Sequence, residues 1–313
     1  MIYLPNPSRL TPCASRLLPH ALAFPHPIQV LRRDLVLVDC GPMTLTISAW
    51  AEGQPRPVMA AKSAAEALGL LDELARLQPL LKTAAGKINN NHTCPDLIQK
   101  GVRACREVSP ELTGLAAVAG LVADRVLDEA INLGADRVIV NNGGDIALKV
   151  PAGHPVRVGL KTHPEGEVTH FLEITSNDLI GGVATSGWTG RSFSTGVADV
   201  VTVWARDCAT ADAAATWIAA RVWLPSLKVL QTPAKQLDPE TDIPHLKVTR
   251  GVDPLSREEK REALQAGLAT AVGLLERGVI QGAFLSVQGE VHWVSDPRGP
   301  QPEAVAPASG GLG

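Results

Sequence analysis

Asp212 and Thr216 stand four residues apart near the end of the stretch DVVTVWARDCATADAAAT, which runs from Asp199 to Thr216. If the second half of that stretch is a helix, the two side chains project from one face and offer a carboxylate and a hydroxyl to a single point. Oxygen donors of this kind suit Mg²⁺, which takes one or two carboxylates and fills its remaining positions with water or substrate phosphate. Ala209, Ala211, Ala213, Ala214 and Ala215 leave the surrounding surface nearly free of side chains, so another backbone or a bulky phosphate ester can come close. The plainer account of the same residues is a stable helix, since alanine is the best helix former and an early aspartate is favoured by the helix dipole.

Other polar groups offer chemistry of a similar kind. Asn141-Asn-Gly-Gly-Asp145 separates the apolar runs Arg137 to Val140 and Ile146 to Val150, and Asn-Gly is the strongest short-range hairpin signal. Beyond making a turn, its N–H groups and its Asn and Asp side chains could hold a ribose, a base or a phosphate. The segment DLIGGVATSGWTG, Asp178 to Gly190, reads as a glycine-rich break in which Thr185, Ser186 and Gly187 could cradle an anion; it lacks the lysine of a P-loop. Arg191 could grip a phosphate with two parallel hydrogen bonds. Asp145 and Asp199 are the carboxylates in place to act as a general base, with a capping or supporting role as the alternative for each. Trp188, Trp204, Trp217 and Trp223 flank these segments, and large aromatics are packing residues first. His92 and Cys94 are too closely spaced for a usual zinc pair, have no second pair, and read as ordinary loop residues.

Strands and helices of recognisable pattern must position these groups. Ile28 to Leu31, Leu35 to Val38 and Thr44 to Trp50 read as short strands in an antiparallel start. Leucines at helical spacing from Ala60 to Ala85 predict an amphipathic helix divided or ended by Pro79, and Pro95 opens a short helix through Arg106. A further helix is predicted from Pro110 to Leu133. Its first half is stripped of bulk by Gly114, Ala116, Ala117, Ala119 and Gly120, and it is closed by Gly134. Val156 to Leu160, His170 to Thr175, Asp199 to Ala205 and His245 to Arg250 read as strands, with a proline-rich connection from Thr232 to Pro244. Ser256 to Arg277 reads as a long helix and Ala283 to Val294 as a hairpin turning at Gln288-Gly289. Strands before, between and after long helices make an α+β domain. The expected organisation is an irregular segment over residues 1–27, one domain over 28–295, and a disordered tail over 296–313.

Composition narrows the function classes. The chain has 313 residues, 45% of them hydrophobic, and 29 Lys and Arg against 32 Asp and Glu, a net charge of -3. With no basic run, a nucleic-acid partner is not expected. Five cysteines (Cys13, Cys40, Cys94, Cys105, Cys208) contain no Cys-x-x-Cys pair, which fits a reducing cytoplasm better than a disulfide framework. Prolines at 5, 7, 12, 19, 25 and 27 interrupt any apolar run of signal-peptide length, and no later run is long enough to span a membrane. Neither export nor membrane association is expected; a homo-oligomer stays open.

The order and spacing of the small-residue segments resemble the ApbE superfamily, whose named members are FAD:protein FMN transferases. GLAAVAGLVADRV with INLGADRVIVNNGGDIAL resembles the family's helix, strand and Gly-Gly-Asp turn; VATSG resembles its Ala-Thr-Ser-Gly loop; and ADAAAT resembles its Ala-Asp-(x)₃-Thr metal motif. The resemblance spans roughly residues 30 to 295 and implies a T-fold-like antiparallel core. It also implies Mg²⁺ held by Asp212, Thr216 and a backbone carbonyl, that of Ala116. Asn142, Gly143, Gly144 and Asp145 would line the nucleotide site, and Thr185, Ser186 and Gly187 would lie along FAD or FMN or its phosphates. The chain departs from the transferases at two places. Ala119 stands where they carry a lysine before the helix glycine, and Arg191-Ser-Phe-Ser-Thr-Gly196 stands where they carry His-x-x-Asp-Pro-x-Thr-Gly. It is therefore placed in a related branch. It would be a Mg²⁺-dependent transferase or pyrophosphatase acting on a flavin or related dinucleotide, or else a module or enzyme-complex subunit that keeps the pocket without the chemistry.

Overall fold

The computed structural model describes residues 27–88 and 95–305. Cys13 and the rest of residues 1–26, the pair His92 and Cys94, and residues 306–313 lie outside the described residues. The chain starts as an antiparallel meander of β1 (Ile28–Arg32), β2 (Leu35–Cys40) and β3 (Met43–Ala51), to whose end the two-residue β4 (Gln54–Pro55) pairs. Then come α1 (Pro57–Arg76), α2 (Gln78–Leu81) and α3 (Asp96–Val108). Pro79 sits in the first turn of α2, where its missing N–H costs nothing, so the leucine-rich stretch is divided there.

The helix predicted from Pro110 begins only at Val118, as α4 (Val118–Asn132), and Gly114–Ala117 forms a single 3-10 turn. Two contacts hold this entry out of the α-helix: Thr113 bridges to Ala84 as in a sheet, and its hydroxyl donates to Asp242. After α4 come β5 (Arg137–Asn142) and β6 (Asp145–Lys149), joined by Gly143 and Gly144 with φ of +67° and +121°, values that a side chain disfavours. Next are β7 (Val156–Lys161), β8 (Val168–Ile174), β9 (Gly182–Ser186), β10 (Val200–Ala205) and α5 (Cys208–Arg221).

VATSG is thus not a loop. Its first four residues belong to β9, which is paired to β10 along its whole length. The proline-rich connection also carries structure: β11 (Val229–Pro233), α6 (Ala234–Leu237) and β12 (Lys247–Val252), with β11 and β12 paired. The chain continues through α7 (Arg257–Glu276), β13 (Gly282–Val287) and β14 (Glu290–Ser295), the last two turning at Gln288-Gly289 as their sequence predicts. The expected disordered tail is ordered over residues 296–305. Asp296 accepts from the Arg298 N–H in a turn, and β15 (Glu303–Ala304) adds to the edge of β8.

Ten strands form the central sheet in the order β1-β2-β3-β5-β6-β9-β10-β13-β14, with β4 beside β3, and every neighbouring pair is antiparallel. Side chains alternate between its faces. Val138, Val140, Ala147, Val201, Val203 and Leu285 pack against the helices, while Ile139, Leu148, Val183, Trp204 and Phe284 pack against β7 and β8. The architecture is α+β: helices, an antiparallel sheet and a second small sheet in three layers.

Candidate functional site

The first turn of α5 is wedged between α4 and β9. A Cβ on Gly120 would lie 2.3 Å from the Cys208 carbonyl oxygen, and one on Gly182 would lie 2.2 Å from the Cys208 nitrogen, so neither position admits a side chain. Asp207 caps the helix by accepting from the Thr210 N–H at 2.8 Å. A second carboxylate, Asp124 of α4, accepts from the N–H groups of Cys208 and Ala209 at 3.0 and 3.1 Å. Lys100 on α3 stands 3.0 Å from the same carboxylate.

One turn further along α5 the relation is reversed. Asp212 accepts from the N–H of Gly120, at 2.9 Å, in the first turn of α4, a helix that has no side-chain cap of its own. The Asn142 side-chain amide, at the end of β5, donates to the Ala119 carbonyl at 3.1 Å. Asp145, at the start of β6, accepts from the Thr185 N–H at 3.3 Å. Asp145 and Asp212 are both half-buried, and each lacks a cationic partner among the described residues. Burial pushes the Asp145 carboxyl up to about 7. Asp212 is raised well above the usual carboxylate range, first by burial and then by the charge of Asp145, with the Gly120 and Ala119 N–H groups opposing. The Asp212 carboxyl is thus half-buried beside a second acid with no cation among the described residues to match it, a setting that favours a bound proton or a cation.

Thr216 follows Asp212 by one helical turn and is half-buried, as is Ala116 in the 3-10 turn that packs on α5. Among the described residues no three His, Cys, Asp or Glu side chains are grouped to hold a metal ion. A thiolate or imidazole metal is therefore not supported. A hard cation that needs one or two carboxylates, a hydroxyl, a backbone carbonyl and substrate phosphate fits the donors present.

The other candidates separate. Arg191 donates to the Pro42 carbonyl at 2.8 Å and lies against the hairpin tip, its guanidinium 3.2 Å from where a Gly143 Cβ would stand. The Gly144 N–H is already taken by the Asn141 side chain at 2.9 Å. Thr185 and Ser186 point to opposite faces because they are neighbours on a strand. Thr185 pairs in register with Thr202, hydroxyl to hydroxyl at 2.9 Å, so its side chain turns away from α5. Gly187 passes tightly over the Asp199 carbonyl. Asp199 is 6% exposed, and both its oxygens are occupied, one by the Trp188 indole N–H at 3.2 Å and the other by the Gln288 N–H. That is the setting of a strut between β10 and the β13–β14 turn rather than of a free base. Among the tryptophans, Trp204 is fully buried in the layer beneath β7 and β8, Trp217 carries the Arg221 guanidinium 3.0 Å above its ring, and Trp223 packs on the helical core.

Asp124 and Lys100 were not singled out by sequence reasoning. The signal was present: Asp124 falls on the buried face of α4, between Leu121 and Leu127, where an apolar residue belongs.

A family model described as AbpE bacteria matches residues 29–293. A UPF0280 protein of Methanospirillum hungatei is 38% identical over 125 residues, covering 39% of this chain and 49% of that protein. A UPF0280 protein of Methanocaldococcus jannaschii is 44% identical over 108 residues, covering 33% and 42%. The matches thus span about half of these relatives' length or less. Among solved structures, the apo form of the Pseudomonas stutzeri flavinyl transferase ApbE aligns with a TM-score of 0.50 at 15% identity, over 84% of this chain and 94% of that one, a likeness of fold.

Proposed function

The chain belongs to the AbpE bacteria family, and from that premise we propose that it binds FAD or a related dinucleotide together with Mg²⁺ and acts on the pyrophosphate. The observation that carries this reading is the half-buried acid Asp212, raised by neighbouring Asp145, beside the start of α4 and the Gly143-Gly144 tip. Asp212, Thr216 and Asp145 would hold the ion, with the Ala116 carbonyl as a further oxygen; bound there, it would supply charge neutralisation to a pyrophosphate. The chain's own groups position the ligand. The side-chain-poor turn Asn142 to Asp145 admits a flat ring or a phosphate close to the backbone, and Arg191 at its tip offers a guanidinium to a phosphate oxygen.

Calorimetry with FAD and Mg²⁺, followed by chromatography for AMP and FMN, tests the reading. Binding that requires both components, lost in Asp212→Ala with an unchanged far-UV spectrum, is the expected result; equal Mg²⁺ affinity in variant and parent would sink it.

A second reading, a binding module without transfer chemistry, is favoured by one local observation. The segment Arg191 to Gly196, which lacks the transferases' histidine, is covered by the β11–β12 pair: Gln231 donates to the Thr195 carbonyl at 3.0 Å and the Thr249 N–H to the Ser194 carbonyl at 2.8 Å. Under this reading FAD is retained intact, and no FMN is transferred to a threonine-containing acceptor peptide.

A further inference from the structure

Asp212 owes its place to the start of α5, and that start is held more firmly than helix capping requires. Asp207 already supplies the ordinary cap. Asp124 adds two more hydrogen bonds from a different helix, so the N–H groups of Cys208, Ala209 and Thr210 all end on carboxylates. This arrangement is costly. Asp124 is 2% exposed, burial lifts its carboxyl to about 6, and the Lys100 ammonium, itself 28% exposed, is the chief influence holding it down. Asp124 lies four residues, one turn, beyond Gly120, whose N–H is the one Asp212 takes. The two helices therefore tie the same turns together in opposite directions, α4 gripping the first turn of α5 and α5 gripping the first turn of α4.

We propose that Asp124, held by Lys100, is a positioning residue: it fixes the register of α5 against α4 and so aims Asp212 and Thr216 at the cation and pyrophosphate. This rests on the function proposed above, from which it is separable by experiment. The same clamp explains why Gly120 and Gly182 must be bare, since a helix start held in fixed register leaves no slack for a Cβ at either contact. It also explains a lysine on α3, which touches none of the proposed ligand-binding groups, as the counter-ion that lets Asp124 stay charged and accept both N–H groups.

The test uses the full chain, with Mn²⁺ as the metal probe in the presence of FAD, and amide hydrogen exchange in the absence of any ligand. Asp124→Asn should weaken Mn²⁺ binding about 10- to 100-fold, the usual cost of removing a group that supports a metal ligand, and the Gly120 amide should lose protection while Val126 in the middle of α4 keeps its own. Lys100→Met should shift both readouts in the same direction, and Lys100→Arg should restore them; if Asp124→Asn does not fold, these two lysine variants decide between the outcomes. A merely structural role predicts a lower melting temperature with Mn²⁺ affinity and Gly120 protection unchanged, and that result overturns the proposal. If the parent binds no Mn²⁺, the function above falls, and the Gly120 exchange alone decides whether the clamp positions Asp212.

Discussion

Asp124 and Asp212 sit one on each helix of the same crossing, and they live in opposite conditions. Asp124 accepts from two N–H groups and an ammonium and is almost completely buried. Asp212 accepts from the Gly120 N–H in the first turn of α4 and faces a second carboxylate. The first has its charge matched by the protein, as a supporting group must. The second has a charge that the protein leaves incompletely matched, which in a half-buried site reads as a place for something the chain does not itself provide. Two aspartates of equal acidity in water are sorted into a matched and an unmatched carboxyl by what their neighbours supply.

The sharpest break of this comparison is to truncate each in turn. Asp124→Ala leaves Lys100 and two helix N–H groups without a partner and should cost about 3 kcal/mol or more, read as a lowered denaturant midpoint. Asp212→Ala gives up its N–H contacts at the start of α4 but also relieves the repulsion with Asp145, so the metal-free protein should change by less than about 1 kcal/mol. Equal losses in the two variants would erase the distinction.

A smaller effect sharpens the contrast through pH. A carboxyl whose folded pKa is raised keeps its proton in the native state after the unfolded chain has lost it. Its contribution is therefore fully present at low pH and lost as pH rises, for Asp145 through the window from about 4 to about 7. In EDTA, the parent should lose stability across that window relative to Asp145→Asn, which should be the more stable protein at pH 8 by about 1–2 kcal/mol. Saturating Mg²⁺ should reverse the order of the two proteins. A pH-independent difference would mean that Asp145 is not held in a charge-poor setting.

Much of this was legible in the residues, and the parts that were not share a cause. Strands β2, β3, β5 and β10 and helices α5 and α7 follow local periodicity, and the Gly143-Gly144 and Gln288-Gly289 turns follow backbone chemistry, so all are written in short windows. The shortened α4, the strand character of Ala184 to Ser186 and the β11–β12 pair depend on partners far along the chain. Gly182 and Thr185 look like loop residues until β10 lies beside them, and Thr113 looks helical until it meets Ala84 and Asp242. At the site, the i, i+4 spacing brought Asp212 and Thr216 to notice, but nothing local foretold that Asp145 would raise the Asp212 carboxyl or that Trp188 and Gln288 would claim both oxygens of Asp199. Asp124 was the one supporting residue with a local mark, an acid on an apolar face, and its partners lie on two other helices, α3 and α5.

The mildest perturbation tests the open side of the crossing. Gly120 and Gly144 are both glycines beside the proposed site, yet a Cβ on Gly120 meets backbone at 2.3 Å whereas one on Gly144 has nothing within 4 Å. Space is therefore not what Gly144 protects in the free protein. Its φ of +121° is, and forcing a side chain there costs about 1–3 kcal/mol of backbone strain if the turn keeps its shape. Gly144→Val should fold, with a modestly lower melting temperature, but should fill the open side of the turn and weaken FAD binding with Mg²⁺ present by far more than its stability loss. Asp296→Ala, in the turn beyond β14, should leave FAD binding unchanged and serves as the reference for a variant outside the site. A folded Gly144→Val protein that binds FAD as tightly as the parent would show that the open side of Gly144 is solvent rather than a ligand's place, and the nucleotide would have to be sought elsewhere on the sheet.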